Sequence, residues 1–463
     1  MVAIRMPPLV TKLRILHPQP MMVILLIRLI LLSAHAQDLT LADAVRGAQR
    51  QHPSVKAAEG RVNAAALQRE QAHSGYLPKL NYMESYQRSN NPVFVFSSLL
   101  AQRRFTEGNF AIDSLNNPAS VNNFQSVLSA EQTLFDAGVT KRNIESADLR
   151  KQLSAEEKRQ LEMNLAAGAA RAYLGVLLTE EGLHVAREAV KSAEADLARA
   201  RTVREAGLST DADVLSIEVH LAAMKEQEVR RKADLDVARA ALNEVLGLPL
   251  DTDHKLTTTL RQLEASPADR QAYETKAATD RAEARQALLG VQVAEKQSAQ
   301  ARAAYFPRVS LRGVLEADRG RFVTQAGGNW FAGVTLQWNL FNGFADRGRI
   351  RESQQMIAVT RSQADQVRNG AKLEVRRAHA DLSSATERIS LSAAAVAQAE
   401  ESLRITRNRY EGGLSTVTDL LRNQVAVLES RLRRLMAVHD QRVAAVMLEL
   451  AAGGLTADSE VLR

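Results

Sequence analysis

Acidic side chains follow the same four residues at two places in the chain. The stretch AGLSTDADVL holds Asp211 and Asp213, and the stretch GGLSTVTDLL holds Asp419. Near a helix start, the carboxylates of Asp211 and Asp213 can accept hydrogen bonds from free N–H groups and gain about 0.3 to 1 kcal/mol from the helix dipole. Asp419 and Arg422, at positions i and i+3, can form an exposed ion pair. Helix capping is therefore the simplest chemistry of these acids.

Reactive side chains elsewhere form no catalytic or metal-binding pattern. The nine histidines are scattered, and His184 and His220 each stand alone in a helical segment. The chain has no cysteine, which excludes disulfides and thiolate metal sites. The sequence contains no nucleophile elbow, phosphate loop or paired-carboxylate motif. It predicts neither an enzyme nor a bound metal or cofactor.

The N-terminal segment is typical of an export signal. The stretch MMVILLIRLILLSAHAQ is apolar and ends in the small-x-small pattern Ala34-His35-Ala36. This pattern predicts a signal peptide at 1–36, cleaved after Ala36. Four basic residues of the leader contribute to the formal charge of +7, so the mature chain is only mildly basic. A nucleic-acid partner is not predicted.

The remainder of the chain consists of two tandem repeats. GYLPKLNY aligns with AYFPRVSL, TLFDAG aligns with NLFNGF, and the GLST motif occurs in both copies. The first copy holds an insertion, which predicts a long extracellular loop at 86–123. The predicted divisions are repeat 1 at 37–247, a linker at 248–280, repeat 2 at 281–452 and a C-terminal tail at 453–463.

Long helices follow each predicted strand hairpin. From Ala172 to Ala200, and again from Ala378 to Thr406, small and apolar residues recur every three or four positions. This spacing is the a/d seam of helices that pack side by side. No proline interrupts 137–206 or 343–412, and helices of this length are on the order of 100 Å long. Returning helices are predicted at 210–246 and 416–452.

The GLST motifs therefore predict the tips of two helical hairpins, at 207–210 and 412–416. A glycine supplies the left-handed residue after the first helix, and the hydroxyl residues cap the second helix. The predicted tip residues are Gly207, Leu208, Ser209 and Thr210 in the first copy and Gly413, Leu414, Ser415 and Thr416 in the second.

Strand-like segments precede the long helices. Apolar and polar residues alternate from Val309 to Ala317 and from Ala332 to Leu340, within a hairpin predicted at 305–341. Each segment has about the 9 to 11 residues that a tilted strand needs to cross a bilayer. A half-buried soluble hairpin would alternate in the same way. The duplicated hairpin, the export signal and the aromatic residues around Trp330 and Trp338 favour the membrane.

Four strands cannot form a closed transmembrane structure. An open sheet has two edges, and each unsatisfied backbone group in lipid costs several kcal/mol. Other copies of the chain must therefore supply the missing partners. A homotrimer would combine four strands per chain into a barrel of twelve strands, which is wide enough for a pore.

The chain resembles the TolC-like outer-membrane efflux protein family over essentially the whole mature sequence. The motifs that carry the resemblance are HPSVKAAEGRVNAA, GYLPKL, AYFPRVSL, TLFDAG, NLFNGF, LNEVLGLPLD and the two GLST tips. The resemblance implies a mixed α+β membrane protein, a homotrimer with a transmembrane β-barrel in the outer membrane of a Gram-negative bacterium. It also implies a long periplasmic α-helical barrel, with an equatorial belt formed partly by the linker and the tail.

The family resemblance implies an exit duct of a tripartite efflux or type I secretion system. In the family, the helix tips close the periplasmic mouth, dock a periplasmic adaptor and open when the adaptor and an inner-membrane pump engage. The matching gate positions are Asp211, Asp213, Tyr410, Ser415, Asp419 and Arg422. Tyr410 matches a tyrosine that hydrogen-bonds toward the first-copy acid, here Asp213. Ser415 stands in place of a gate-locking arginine, and Arg422 in place of a second acid.

Two other classes of protein share some of these features. A periplasmic adaptor also has a long helical hairpin, but it would have one hairpin and no membrane strands. A secreted coiled-coil protein would explain the seams but not the strands. At the tips, the acids either cap the helices alone or also form a ring of like charges around a symmetry axis. The sequence does not specify the exported cargo.

Overall fold

The computed structural model describes residues 37–207, 209–264 and 269–463. The predicted signal peptide, 1–36, lies outside the described residues, as does Leu208 of the first tip. Two long helical hairpins and a four-stranded sheet form most of the described structure. No helix in these ranges combines the length and the apolarity needed to cross a membrane.

The first repeat runs from two short helices through a strand hairpin into a helical hairpin. Its elements are β1 (Gln37–Leu39), α1 (Leu41–Gln51), α2 (Pro53–His73), β2 (Lys79–Ser89), α3 (Pro92–Ala101), α4 (Ile112–Asn116), β3 (Val121–Phe135), α5 (Val139–Glu205) and α6 (Asp211–Leu246). Helix α5 has 67 residues, which makes it about 100 Å long. It begins slightly after and ends slightly before the predicted range of 137–206.

The second repeat has the same order of elements without helices in its strand hairpin. Its elements, with the preceding strand of the linker, are β4 (His254–Leu256), α7 (Arg270–Asp280), α8 (Ala282–Arg302), β5 (Arg308–Arg319), β6 (Gly327–Gln337), α9 (Ala345–Glu411) and α10 (Val417–Ala451). Helix α9 also has 67 residues. The two long helices are therefore matched in length as well as in position.

The second repeat starts earlier than the predicted boundary at 281. Helices α7 and α8 take the places that α1 and α2 have in the first repeat, so the helical part of the second repeat starts at Arg270. The side chain of Asp269 caps α7, and Arg281 has the extended backbone that separates α7 from α8. The predicted linker, 248–280, thus contains a helix and the short strand β4, which pairs in parallel with β1.

The long helices form a single layer. Near the tips the neighbouring helices are α6, α5, α10 and α9, in that order, and nearer to the sheet they are α2, α5, α8 and α9. Small residues allow close approach, and Ala166 and Ala170 of α5 are completely buried. Residues of both predicted seams are buried, among them Leu197 and Ile389. The outer helices of the layer, α6 and α2 on one side and α9 on the other, are its two edges.

The linker and the tail pack against the middle of this layer. Leu455 and Leu462 of the tail belong to the hydrophobic core around α5. The Tyr173 hydroxyl donates a hydrogen bond to the Leu39 carbonyl oxygen at 2.8 Å and accepts one from the Thr258 amide at 3.1 Å. One buried tyrosine thus joins α5 to β1 and to the linker.

The four long strands form an antiparallel sheet in the order β2-β3-β5-β6. Within the described residues, β2 and β6 each lack a partner on their outer side. The register places Leu311 opposite Val334 and Leu315 opposite Trp330. The alternation therefore produces a mainly apolar face and a mainly polar face. An ion pair between Glu84 and Arg319 lies on the mainly apolar face, at the Arg319 end of the sheet.

The insertion between β2 and β3 is not the long loop that the sequence predicts at 86–123. Strand β2 continues to Ser89, β3 begins at Val121, and α3 and α4 lie between them. The Asn91 side chain caps α3 by accepting a hydrogen bond from the Phe94 amide at 3.2 Å. Val95 of α3 is buried, and α3 packs on β3, β5 and β6. Burial against the sheet is what turns this segment into ordered structure.

Candidate functional site at the helix tips

Both helical hairpins turn on a glycine in the left-handed conformation. The φ angle is +78° at Gly207 and +69° at Gly413, a region that costs other L-residues roughly 1 to 2 kcal/mol. A Cβ added at either position would meet no atom within 4 Å. Backbone conformation, and not a lack of space, is therefore the reason for glycine at both predicted turns.

The first tip carries a reciprocal capping box. Thr210 Oγ1 accepts a hydrogen bond from the Asp213 amide at 3.2 Å. Asp213 Oδ2 in turn accepts from the Thr210 amide at 3.1 Å and from the Ser209 hydroxyl at 3.1 Å. One carboxylate oxygen of α6 thereby binds both Ser209 and Thr210, the two residues that directly precede the helix.

The second tip repeats this arrangement. Thr416 Oγ1 accepts a hydrogen bond from the Asp419 amide at 3.2 Å. Asp419 Oδ2 accepts from the Thr416 amide at 3.3 Å and from the Ser415 hydroxyl at 3.3 Å. Ser415 thus supports the cap of its own helix.

The hydrogen bonds of the two caps favour the ionised form of both acids. For Asp213, the hydrogen bond from the Thr210 amide contributes most to a pKa below the usual value. For Asp419, the Thr416 hydroxyl contributes most, then the Thr416 amide, and the charge of Arg422 lowers the pKa slightly further. Each tip therefore carries a carboxylate at neutral pH.

Asp211 has a different partner from the capping acids. Its Oδ1 lies 3.1 Å from Nη1 of Arg204, across the turn, and both side chains are exposed. An exposed pair of this kind contributes little to stability. Asp211 therefore adds charge to the tip without holding its structure.

Tyr410 of α9 reaches the tip of the first repeat. Its hydroxyl oxygen is buried and has no hydrogen-bond partner among the described residues. Burial raises the pKa of Tyr410, and the charges of Asp213 and Asp196 raise it further. The bond to Asp213 that the family resemblance implies is not formed in this structure, and Asp213 Oδ2 is bound instead by groups of Ser209 and Thr210.

A hydrophobic cluster joins the two tips. Its buried members come from α5, α6 and α10, and Tyr410 of α9 packs against them; they are Leu197, Ala200, Val214, Ile217 and Val417. The two hairpins of one chain therefore do not end independently.

A buried acid beside this cluster was not predicted from the sequence. Asp196 of α5 is only 3 % exposed, and its Oδ2 lies 3.3 Å from Nη2 of Arg407 on α9. The same oxygen accepts a hydrogen bond from Gln424 of α10. We call Asp196, Arg407 and Gln424 the tip hub, because the three residues connect one helix of the first repeat to both helices of the second.

Further charged groups surround the tip hub. Arg199 Nη1 lies 3.3 Å from Asp196 Oδ1 and 3.4 Å from Glu411 Oε1. Arg407 also donates a hydrogen bond to the Ser192 hydroxyl at 3.2 Å. His220 of α6 lies close by, and its burial lowers its pKa while the charge of Asp196 opposes that change. The repeats are thus joined by charges as well as by apolar contacts.

The sequence contained a weak signal for the tip hub. Asp196 directly precedes Leu197 of the first seam, and Arg407 lies one helical turn before Tyr410. A charged residue next to a seam is usually solvated. Only the packing of three helices around Asp196 shows that this acid is buried.

The tip residues are arranged to hold two hairpins together and to present charge. Their contacts involve caps, ion pairs and apolar packing, and none of these groups forms the nucleophile–base arrangement of a catalytic site. Of the predicted gate residues, Asp213, Ser415 and Asp419 lie in the caps, while Asp211 and Arg422 are exposed beside them. The site is therefore suited to a mechanical role.

Comparison with known proteins identifies the class of molecule. A model of the family described as "Outer membrane efflux protein" matches residues 44–248 and 275–454. The two matched ranges correspond to the two repeats and cover most of the chain. A periplasmic adaptor or a secreted coiled-coil protein would not be expected to match in this way.

Two curated relatives match along nearly their whole length. Protein CyaE of Bordetella pertussis is 26 % identical over 427 residues, which cover 90 % of this chain and 85 % of that protein. The alkaline protease secretion protein AprF of Pseudomonas aeruginosa is 24 % identical over 440 residues, which cover 94 % of this chain and 89 % of that protein.

Solved structures share the fold at lower sequence identity. The CmeC outer membrane channel of Campylobacter jejuni superimposes with a TM-score of 0.75 at 15 % identity, over 93 % of this chain and 92 % of that one. The likeness includes both the helical layer and the strands, since almost the whole of each chain is covered.

Proposed function

From the premise that the chain belongs to the outer membrane efflux protein family and is an exit duct of the outer membrane, we propose that it works as a homotrimer gated at its paired helix tips. The family is one of transport conduits and not of enzymes. The proposal adds the assembly, the location of the gate and the partners that open it.

The unpaired edges of the sheet are the main observation that supports a homotrimer. In the order β2-β3-β5-β6, neither outer strand has a further partner in the part of the chain that the structure describes. β2 and β6 run in opposite directions, so β6 of one copy can pair with β2 of the next in the antiparallel manner of the whole sheet. Three copies would then close a barrel of twelve strands with no free edge in lipid.

The helical layer offers complementary edges to the same assembly. On α6, Val219 and Val229 are exposed, and on α9 at the other edge Leu391 and Ile405 are exposed. Joining α6 of one copy to α9 of the next would bury these side chains. An interface between unlike edges forms a closed ring when its rotation completes a circle.

We place the gate at the tips because both hairpins of a chain end together there. The tip hub and the hydrophobic cluster hold the second hairpin against the first. In a trimer, one Asp213 and one Asp419 per chain would form rings of negative charge around the axis. The helical layer would lie in the periplasm, where the exposed tips would dock an adaptor and, through it, an inner-membrane pump.

Single-channel conductance in a planar bilayer tests this gate. We would compare the wild type with the double variant Asp196→Ala/Arg407→Ala, which removes both charges of the tip hub and leaves neither unpaired. The matched control is Glu401→Ala/Arg404→Ala, an exposed pair on the same helix with a nitrogen–oxygen distance of 2.7 Å.

The expected result is a small conductance in the wild type and control and a larger one in the tip-hub variant. Equal conductance in all three proteins would contradict a gate at the tips, while the proposal of an exit duct would stand. The trimer itself is checked on the same samples by a heat-sensitive band in gel electrophoresis; a sedimenting monomer would contradict the assembly.

A further inference from the structure

The two faces of the sheet differ in chemistry. On one face, Arg312 lies opposite Glu131, and the Gln125 side chain donates a hydrogen bond to Glu316 at 2.6 Å. The other face carries apolar residues, among them Leu315 and Trp330. In a barrel surrounded by lipid, the apolar face lies outside and the polar face lines the pore.

Helix α3 lies on the polar face. The Gln102 side chain, just after α3, donates hydrogen bonds to the Asn122 carbonyl oxygen at 2.8 Å and to Asn123 Oδ1 at 2.9 Å. Asn123 in turn donates to Asp318 Oδ1 at 2.7 Å, and Asp318 is two residues from Glu316 on the same face. Gln102, Asn123 and Asp318 are all buried, so this connection is not a loose surface contact.

Backbone contacts hold the end of α3 against the sheet. A Cβ added to Gly327 would lie 1.9 Å from the Ala101 carbonyl oxygen, whereas a Cβ added to Gly328 would meet no atom within 4 Å. Arg103 takes a left-handed φ of 56°, and its side chain donates a hydrogen bond to the Gly328 carbonyl oxygen at 2.8 Å. Because only glycine allows this approach, Gly327 marks the place where α3 meets the pore-facing surface.

The segment between β2 and β3 has a small core of its own. Phe105 packs edge-to-face on Phe96 and on Phe110, with ring centroids 5.0 Å apart in both pairs. Such pairs stabilise a packed cluster beyond the area that they bury. The segment is therefore a packed unit that stays over the sheet.

The position of this unit is at the outer end of the strands. Strands β3 and β6 end at Phe135 and Gln337, next to the long helices that follow them. Strands β2 and β5 end at Ser89 and Arg319, at the other end of the sheet. Helix α3 contacts the sheet at this far end of the strands, near Asp318 and Gly327. With the helices in the periplasm, this end faces the cell exterior.

We propose that residues 90–120, which we call the outer plug, narrow the pore at its outer mouth in each copy of the trimer. The inference rests on the proposed function, since it needs a barrel with the polar face inside. Val93, Phe110 and Ile112 of the outer plug are exposed in the single chain. Their partners are the outer plugs of the other two copies, gathered around the axis. The duct then has two closures in series, one at each end.

The absence of cysteine makes a direct test possible. Arg312→Cys places a single thiol on the pore face of β5. Position 312 lies six residues along the strand from Asp318, and hence about 20 Å further from the outer mouth. Intact cells would be treated with a maleimide attached to a polymer too large to cross the outer membrane. Val323→Cys, in the exposed turn between β5 and β6, reports the labelling rate outside the plug.

The labelling rate at Arg312→Cys would be compared in three backgrounds. The first is the intact outer plug, the second replaces 92–118 by a short Gly-Ser turn, and the third is Gly327→Ala, whose methyl group must displace the end of α3. Gly328→Ala is the matched control, because its methyl group meets open space. Correct assembly is checked by the heat-sensitive trimer band.

We expect slow labelling with the intact plug and with Gly328→Ala. With the shortened loop, labelling should be faster by about tenfold or more, because the plug no longer has to move aside before the reagent enters. Gly327→Ala should also label faster than Gly328→Ala. A rate at Arg312→Cys that is equal with the intact and the shortened loop would overturn the outer plug. Failure of Val323→Cys to react would instead contradict the membrane topology, and with it the proposed assembly.

Discussion

The two helix tips of this chain have the same local structure and different surroundings. Each has a left-handed glycine and a Thr–Asp capping box with closely similar hydrogen-bond distances. Tyr410 of the other hairpin lies near Asp213 of the first tip, whereas the charge near Asp419 of the second tip comes from Arg422 of the same helix. The comparison separates what a short motif builds by itself from what the packing of distant helices adds.

The largest effect is expected where the surroundings differ. Asp196→Ala removes a buried acid and leaves Arg407 without its carboxylate, which we expect to cost about 3 kcal/mol of unfolding free energy. The measurement is thermal unfolding followed by the helical circular dichroism signal. Asp365→Ala is the control, since its pair with Arg368 at 2.9 Å is exposed and should matter little. Equal losses in both variants would mean that the two repeats are not joined at the tip hub.

A smaller effect is expected from the turns, and it should be the same in both tips. Gly207→Ala and Gly413→Ala force a side chain into the left-handed region and should each cost about 1 kcal/mol. Gly412→Ala is a control within the same turn, because its φ is −86° and its Cβ would make only ordinary contacts. Hydrogen exchange at the amides of each tip would measure the local loss. A clearly larger cost at one tip would show that the turns are not equivalent.

The smallest effect concerns acid. The folded pKa values of Asp213 and Asp419 are both lowered from the ordinary 3.8. A lowered folded pKa stabilises the tips above the ordinary value, and this contribution is lost as the pH falls through the folded pKa. We therefore expect the first turns of α6 and α10 to lose protection from hydrogen exchange, measured relative to the intrinsic rate at each pH, as the pH falls below about 3.8. Asp213→Asn should remove the dependence from α6 alone; an unchanged dependence there would assign it to another group.

The same contrast applies to the strand hairpins. Alternation predicted the two faces of β5 and β6, because side chains point to opposite sides at successive positions. The insertion in the first hairpin was predicted as a loop on its Asn, Ser and Phe content. Its helix α3 depends on burial of Val95 and on the approach of Ala101 to Gly327, and neither contact leaves a periodic signal in the sequence.

The boundary of the second repeat was misplaced for a related reason. The motifs that occur in both repeats lie at the strands, at the starts of the long helices and at the tips. None of them lies in α1 or in α7, so no repeated motif marked where α7 begins. Its cap, Asp269, sits in a polar stretch that sequence patterns alone do not distinguish from a linker. The order of the elements was predictable, but the exact start of this one was not.

By itself, the sequence determined the local features of this protein: the duplication, the length of the helices, the apolar seams, the glycine turns at Gly207 and Gly413, and the caps at Thr210 and Thr416. Each depends on residues close together in the chain, so spacing and residue type are sufficient. Only the tertiary structure decided that Asp196 is buried between the two repeats and that α3 lies on the polar face of the sheet. Those features depend on groups hundreds of residues apart, whose meeting is determined by the packing of the whole layer.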